Sequence, residues 1–272
     1  MPTTTTLAQR RDRFRALHRD GLFVMPNPMD VGSARLLASM GFPALATTSS
    51  GFAATLGRRD YGVRRDELLG HVAALVAAVD VPLHVDSERC FADDPAGVGE
   101  TVGLLADAGA SGCSIEDFDP ATGSIDPLEV AVPRVAAAAR AARDRGVVLT
   151  ARAENHLHGI DDLDETIARL RAYRMAGAEV VFAPGVTDPQ QIRRLVEAVE
   201  VPLNVIATPS GPPIPALATI GVRRVSTGGS LARAAYGAIA AAAAELQEPG
   251  TSTYLAGVIS WAEFGAAMEQ TD

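Results

Sequence analysis

Eight short apolar, β-branched runs alternate along this chain with longer Ala/Leu/Arg segments of helical period, and that alternation narrows the folds open to it. The runs are LFVMPN from Leu22, ALATTS from Ala44, LHVDSE from Leu83, GCSIED from Gly112, VVLTARAE from Val147, EVVFAP from Glu179, LNVIA from Leu203 and RRVSTG from Arg223. Between them lie helix patterns such as DVGSARLLASMG from Asp30, RDELLGHVAALVAAV from Arg65, DPAGVGETVGLLADAGA from Asp94 and DDLDETIARLRAYRMAGA from Asp161. Each stops near a glycine or a polar turn, as helix ends do. Eight strand–helix units in 272 residues match a (β/α)8 TIM-type barrel, one α/β domain over 1–272. An open doubly wound sheet would carry a glycine-rich first turn, and the turn here, NPMDVGS, has no G-x-G-x-x-G. Helical residues ahead of the first strand (LAQRRDRFRALHR) and after the last unit (VISWAEFGAAMEQ) predict extra terminal helices, the second within a C-terminal extension over about 246–272.

Composition removes several classes of function. The chain is 47% hydrophobic, enough for a sizeable core, yet no apolar run reaches the ~20 residues of a membrane helix. The longest candidate, AAYGAIAAAAAEL from Ala234, reads as a packed helix, and the expectation is a soluble protein. MPTTTTLAQRRDRFR lacks a hydrophobic signal core, so the expected location is cytoplasmic. A net charge of -9 supplies no basic face for nucleic acid. Two cysteines, Cys90 and Cys113, make neither a disulfide framework nor a four-sulfur zinc site and read as free thiols. All 24 basic residues are arginines. Schiff-base aldolase chemistry, a pyridoxal-phosphate lysine and a Walker A lysine are therefore all excluded.

In a barrel the C-terminal strand ends converge at one mouth, and here they are polar. The second strand ends in Thr47 to Gly51, the third in Asp86 and Glu88, the fourth in Glu116 and Asp117, and the fifth in Arg152 and Glu154. The seventh runs from Asn204 to Thr208 and Ser210, and the eighth ends in Ser226 and Thr227. Asp86, Glu88 and Glu116 form an oxygen-only set suited to Mg2+, with Mn2+ as the alternative. Arg152, one strand over, can grip a substrate carboxylate bidentately or pair with Glu116 or Glu154. His84 shares the face of Asp86 by strand alternation and reads as a satisfied core histidine, Cys113 as core, and His156 and His158 as loop residues.

These segments together resemble the isocitrate lyase and phosphoenolpyruvate mutase superfamily. PNPMDVGSARLL, TTSSGFAATLG, VDSERCFADDP, GCSIEDFDP, LTARAENHLHG, RLRAYRMAGAEVVFAPGVTDP, PLNVIATPS and GVRRVSTG fall in family order across nearly the whole chain. The resemblance implies a barrel with a swapped terminal helix, hence a homodimer or homotetramer, and a Mg2+ site. It also implies small 2-oxo or 2-hydroxy carboxylate substrates that form or consume an enolate. By position, Asp86, Glu88 and Glu116 match the metal-site acids, and Asp60 an acid near the metal. Ser50, Gly51 and Phe52 match the segment whose amides hold a substrate oxygen. Arg152 matches the substrate arginine, and Asn204, Thr208 and Ser210 resemble further substrate contacts.

The departures lie in two loops. Family lyases carry K-[KR]-C-G-H after the fourth strand, and the mutases and hydrolases a lysine; FDPATGSIDP, Phe118 to Pro127, has neither cysteine nor lysine. The usual D-x-[DE]-x-G-[YF]-G is Asp86 to Ala92 here with both glycines replaced, and Cys90 reads as a small hydrophobe in a glycine position rather than a relocated acid/base. The expected activity is a Mg2+-dependent carbon–carbon lyase, of carboxy-lyase or retro-aldol type. The alternatives are carbon–phosphorus chemistry of the phosphonopyruvate hydrolase or mutase kind, and a non-catalytic keto-acid-binding barrel.

Overall fold

The computed structural model describes residues 5–269, so both ends of the 1–272 span lie outside the described residues. All eight predicted strands are present, shorter than read: β1 Phe23–Met25, β2 Leu45–Ala46, β3 Leu83–Val85, β4 Gly112–Glu116, β5 Val148–Arg152, β6 Val180–Phe182, β7 Leu203–Ile206 and β8 Arg224–Ser226. They form one parallel sheet that runs from β1 through β8 and back down to β2. The gap between β2 and β1 is bridged by the Ala46 N–H, which donates to Pro26 O at 3.1 Å. Asn27 tightens that seam, its Nδ2 donating to Thr47 O at 2.7 Å and its Oδ1 accepting the Thr227 and Gly228 amides at 2.9 Å. The result is the (β/α)8 TIM-type barrel the alternation predicted.

The predicted helices follow from local chemistry. Asp30, Asp94 and Asp162 each cap a helix by accepting first-turn amides, opening Val31–Ser39, Pro95–Asp107 and Leu163–Met175. The N-terminal helix Leu7–Leu17 plugs the barrel floor with Phe14, whose ring lies where a Cβ at position 112 would stand, 2.5 Å from Phe14 Cε1. Only glycine fits at Gly112. Among the described residues no helix is long and apolar enough to cross a membrane.

One feature differs from the sequence reading. The loop after β4 is a small antiparallel hairpin pairing Phe118–Asp119 with Ser124–Ile125, too short to leave any periodicity. After the long helix Ser230–Gln247, the terminal helix Trp261–Met268 packs against Val31–Ser39 of its own chain, where Arg35 Nη1 donates to Met268 O at 2.8 Å.

Candidate active site

The mouth acids come from different places: Glu116 is the last residue of β4, Glu88 lies three residues past β3, and Asp60 lies in a turn after the helix Ser49–Thr55. Asp86 follows β3, its backbone N–H donating to Thr47 Oγ1 at 2.9 Å and its Oδ2 accepting the Ser49 amide at 3.0 Å. Its Oδ1 meets Arg152 Nη1 at 2.8 Å. Arg152 closes β5 in register with Glu116 and Phe182, so its guanidinium reaches the same layer. Nε donates to Glu154 Oε1 at 2.7 Å, Nη2 pairs with Glu116 Oε2 at 3.3 Å, and the plane lies over the Phe182 ring at 5.3 Å. One guanidinium thus serves three carboxylates, both of the pairings anticipated for Arg152 and a third with Asp86. Glu154 is itself held from behind: its N–H donates to Asp117 Oδ1 at 2.8 Å, and the buried Asp117 also takes Arg169 and Tyr173.

Above β2 the chain turns at Thr48 into the helix Ser49–Thr55. Thr48 Oγ1 accepts the Gly51 amide at 3.3 Å and Thr48 O the Phe52 amide at 2.9 Å. Those two amides, expected from the resemblance to hold substrate, are consumed by the helix cap. Gly51 is buried behind it, and Phe52 stacks on His71 with ring centroids 3.8 Å apart. Ser50 alone of the three lines the cavity, joined by Ser49.

That cavity, of about 300 Å³, opens at the barrel mouth. Asp60, Asp86, Arg152, Asn204 and Thr208 line it as expected. Glu88, Glu116 and Ser210 do not: Glu116 lies behind Arg152, and Ser210 is an exposed neighbour of Thr208 at 3.5 Å. Lining residues that sequence reasoning left unassigned include Asn27, Ser114, Thr150 and Arg224. Period-2 alternation through Arg152 places Thr150 inside, but nothing local marked it as functional.

Among the described residues no three carboxylate, imidazole or thiolate side chains converge as a closed ligand set. The charge balance still fits a hard cation. Glu88 is pushed up to about 8, first by burial and then by Asp86 and Asp60, and Asp60 is itself raised by burial and by Asp86. Glu116 is raised by burial, with Glu154 and Asp86 adding to the effect against Arg152, and its Oε1 has no hydrogen-bond partner. Acids in mutual repulsion around one arginine suit Mg2+, which keeps several waters and needs few direct carboxylates. Asp86 and Asp60 face the cavity and would hold it, with Glu88 behind them.

A pH test follows from the sign of the Glu88 shift. Folding raises its affinity for a proton, so the favourable contribution is complete below the ordinary glutamate range and is lost as pH climbs to about 8. Without divalent cation, stability should fall across that window by up to a few kcal/mol, at about 1.4 kcal/mol per unit. Glu88→Gln should flatten the slope of urea midpoints against pH measured in chelator. An unaltered slope would assign the effect elsewhere.

A family model described as phosphoenolpyruvate phosphomutase matches residues 14–247. The chain belongs to the phosphoenolpyruvate mutase/isocitrate lyase superfamily. It is 34% identical over 241 residues to an oxaloacetate decarboxylase of Paraburkholderia xenovorans, covering 84% of this chain and 77% of that one. A solved Burkholderia cenocepacia protein described only as a lyase/mutase is 47% identical, with a TM-score of 0.94 over 98% of each chain. A phosphonopyruvate hydrolase solved with oxalate and Mg++ is 25% identical, with a TM-score of 0.83 over 95% of this chain and 94% of that one. This chain is therefore an enzyme of that superfamily.

The segment Asp86 to Ala92, which departs from the superfamily pattern, is held by specific contacts. Of the two positions where the pattern has glycine, Cys90 keeps a left-handed φ of 59° and Ala92 does not, while the neighbouring Glu88 and Phe91 are left-handed at 49° and 51°, so much of this turn's backbone is left-handed without glycine. The buried Arg134 holds it there, donating to the carbonyls of Arg89, Ala92 and Asp93 at 2.7 to 2.8 Å. Arg89 forks onto Asp126 at 3.0 and 3.1 Å and pins the segment to the foot of the hairpin. Burial pushes the Cys90 thiol up to about 12, which leaves it inert as an acid/base at neutral pH. Within the hairpin, Phe118 stacks on His158 with ring centroids 3.6 Å apart and meets Tyr61 at 5.5 Å, an aromatic cluster in the loop after β4.

Proposed function

We propose that this enzyme is a Mg2+-dependent carbon–carbon lyase of the cytoplasm, acting on a small 2-oxo or 2-hydroxy carboxylate through an enolate. The observation that carries the reading is Arg152, a guanidinium shared by three acids that lines the mouth cavity together with Asp60 and Asp86. Mg2+ supplies neutralisation of the negative charge that develops on the substrate oxygen. Arg152 keeps Nε on Glu154, and Nη1 and Nη2 are the pair that turns to a substrate carboxylate. Ser50 orients the 2-oxo end from the opposite wall. Phe182 and Leu157 supply apolar wall beside it. Loss of carbon dioxide leaves an enolate without a dedicated base, which suits a loop after β4 that has neither cysteine nor lysine, and water entering the mouth returns the proton that completes the 2-oxo acid. The decarboxylase relative supports this form of the reaction, and the absent lysine weighs against chemistry at phosphorus.

The test is a panel of 2-oxo and 2-hydroxy di- and tricarboxylates with Mg2+, followed by NMR. The expected result is chelator-sensitive release of a 2-oxo acid such as pyruvate. Tight binding of the panel without turnover would instead favour a keto-acid-binding barrel.

Assembly is a second part of the proposal. Val258, Ile259, Trp261 and Phe264 are exposed in the C-terminal arm, with Trp261 87% exposed, an apolar stretch that suits a second copy of the chain. Light scattering should report a dimer or tetramer, and Trp261→Glu should shift it toward monomer at micromolar concentration. A monomeric wild type would remove the idea.

A further inference from the structure

Deeper in the barrel stands a second cation that the site described above does not use. Arg224 on β8 is 1% exposed and in register with Phe23 and Asn204. Its contacts are all neutral. Nε donates to Asn204 Oδ1 at 2.8 Å, Nη2 to Thr150 Oγ1 at 3.0 Å, and Nη1 faces His18 Nε2 at 3.3 Å. His18 offers no counter-charge: its Nδ1 lies 2.9 Å from Phe14 O, so that nitrogen carries the proton and Nε2 is an acceptor. No carboxylate among the described residues forms an ion pair with Arg224, and Nη1 and Nη2 each keep one N–H without an acceptor there.

A buried charge without a partner is expensive, and barrel interiors are ordinarily filled with branched apolar side chains. Here the corresponding volume is open. Arg224, Thr150 and Ser226 line the same cavity as Asp86 and Arg152, and the small side chains of Ala46 and Ser114 leave it unfilled. Thr150, which Arg224 touches, lies two residues below Arg152 on β5, about 7 Å along the strand. Two guanidiniums therefore face one cavity at separate depths, the upper one saturated with acids and the inner one with none.

We propose that Arg224 is an inner anion subsite that receives a second carboxylate of the substrate while the 2-oxo or 2-hydroxy end is held at Ser50 and Arg152. This assignment rests on the lyase reading for the upper end alone. A carboxylate held by a guanidinium is stabilised as the anion, so it is not the group lost as carbon dioxide. The substrate class narrows to polycarboxylates in which this second carboxylate lies outside the bond that breaks.

The subsite can be tested by calorimetry with saturating Mg2+, using glutarate, the matching monoacid butyrate, and oxalate as a probe of the mouth. Wild type should bind glutarate at least tenfold tighter than butyrate. Arg224→Met should bring that ratio close to one while oxalate affinity stays within twofold. Arg224→Gln, which can keep polar contact with Asn204 and Thr150, should do the same and guards against misfolding of the methionine variant. Equal affinity of wild type for glutarate and butyrate, or a ratio unchanged in a folded variant, overturns the proposal. Failure of oxalate to bind wild type would count against the lyase reading at the mouth, while the glutarate-to-butyrate ratio still judges Arg224.

Discussion

Asp86→Asn should lower kcat/KM by about 10³ or more, roughly 4 kcal/mol of transition-state stabilisation, with the fold retained. The argument separates the two oxygens. Oδ2 accepts the Ser49 amide, and an asparagine oxygen can keep that bond and the turn into Ser49–Thr55. What is lost is the negative charge at the cavity wall, and with it the counter-ion of Arg152 Nη1 and the best-placed cation donor. Circular dichroism and thermal midpoint should stay near wild type while Mg2+ affinity, read by calorimetry, falls at least tenfold. Full activity in a folded Asp86→Asn would sink the cation assignment.

The limits of the sequence are visible at individual residues. The eight strands were legible because alternation between short β-branched runs and helical periods is carried by local spacing alone. Asp86 and Arg152 were legible because polar residues at the end of a buried strand must emerge at the mouth, whereas Asp60, in a turn after the helix Ser49–Thr55, was reached through the family resemblance alone. Glu116 and Glu88 were also near strand ends, yet neither lines the cavity: Glu116 is engaged by Arg152 and Glu88 sits on a left-handed φ, and neither is encoded by spacing. The segment Asp86 to Ala92 departs from the family pattern at both glycines. The loop keeps its left-handed backbone because Arg134, more than 40 residues away, binds its carbonyls. Arg224 was hidden by its neighbour: of Arg223 and Arg224, one points in and one out, and only the strand register decides which.

Arg152→Lys should be nearly as damaging as loss of Asp86, and for a geometric reason. A guanidinium spans Glu154, Asp86 and Glu116 with three separate nitrogens, whereas an ammonium concentrates its donors on one. The Glu116 and Glu154 side chains are almost wholly buried, so at least one is left unpaired, costing about 3 kcal/mol of stability. Activity should fall by about 10² to 10³ in kcat/KM, with KM rising as well as kcat falling because the substrate carboxylate loses its bidentate fork. Two measurements divide the causes. If the role were structural alone, kcat/KM per folded molecule would be retained once the variant was stabilised by low temperature or osmolyte. If Arg152 touches substrate, the deficit persists in the folded population, and millimolar guanidinium added to Arg152→Ala should restore part of the rate by reoccupying the space between Asp86 and Glu116.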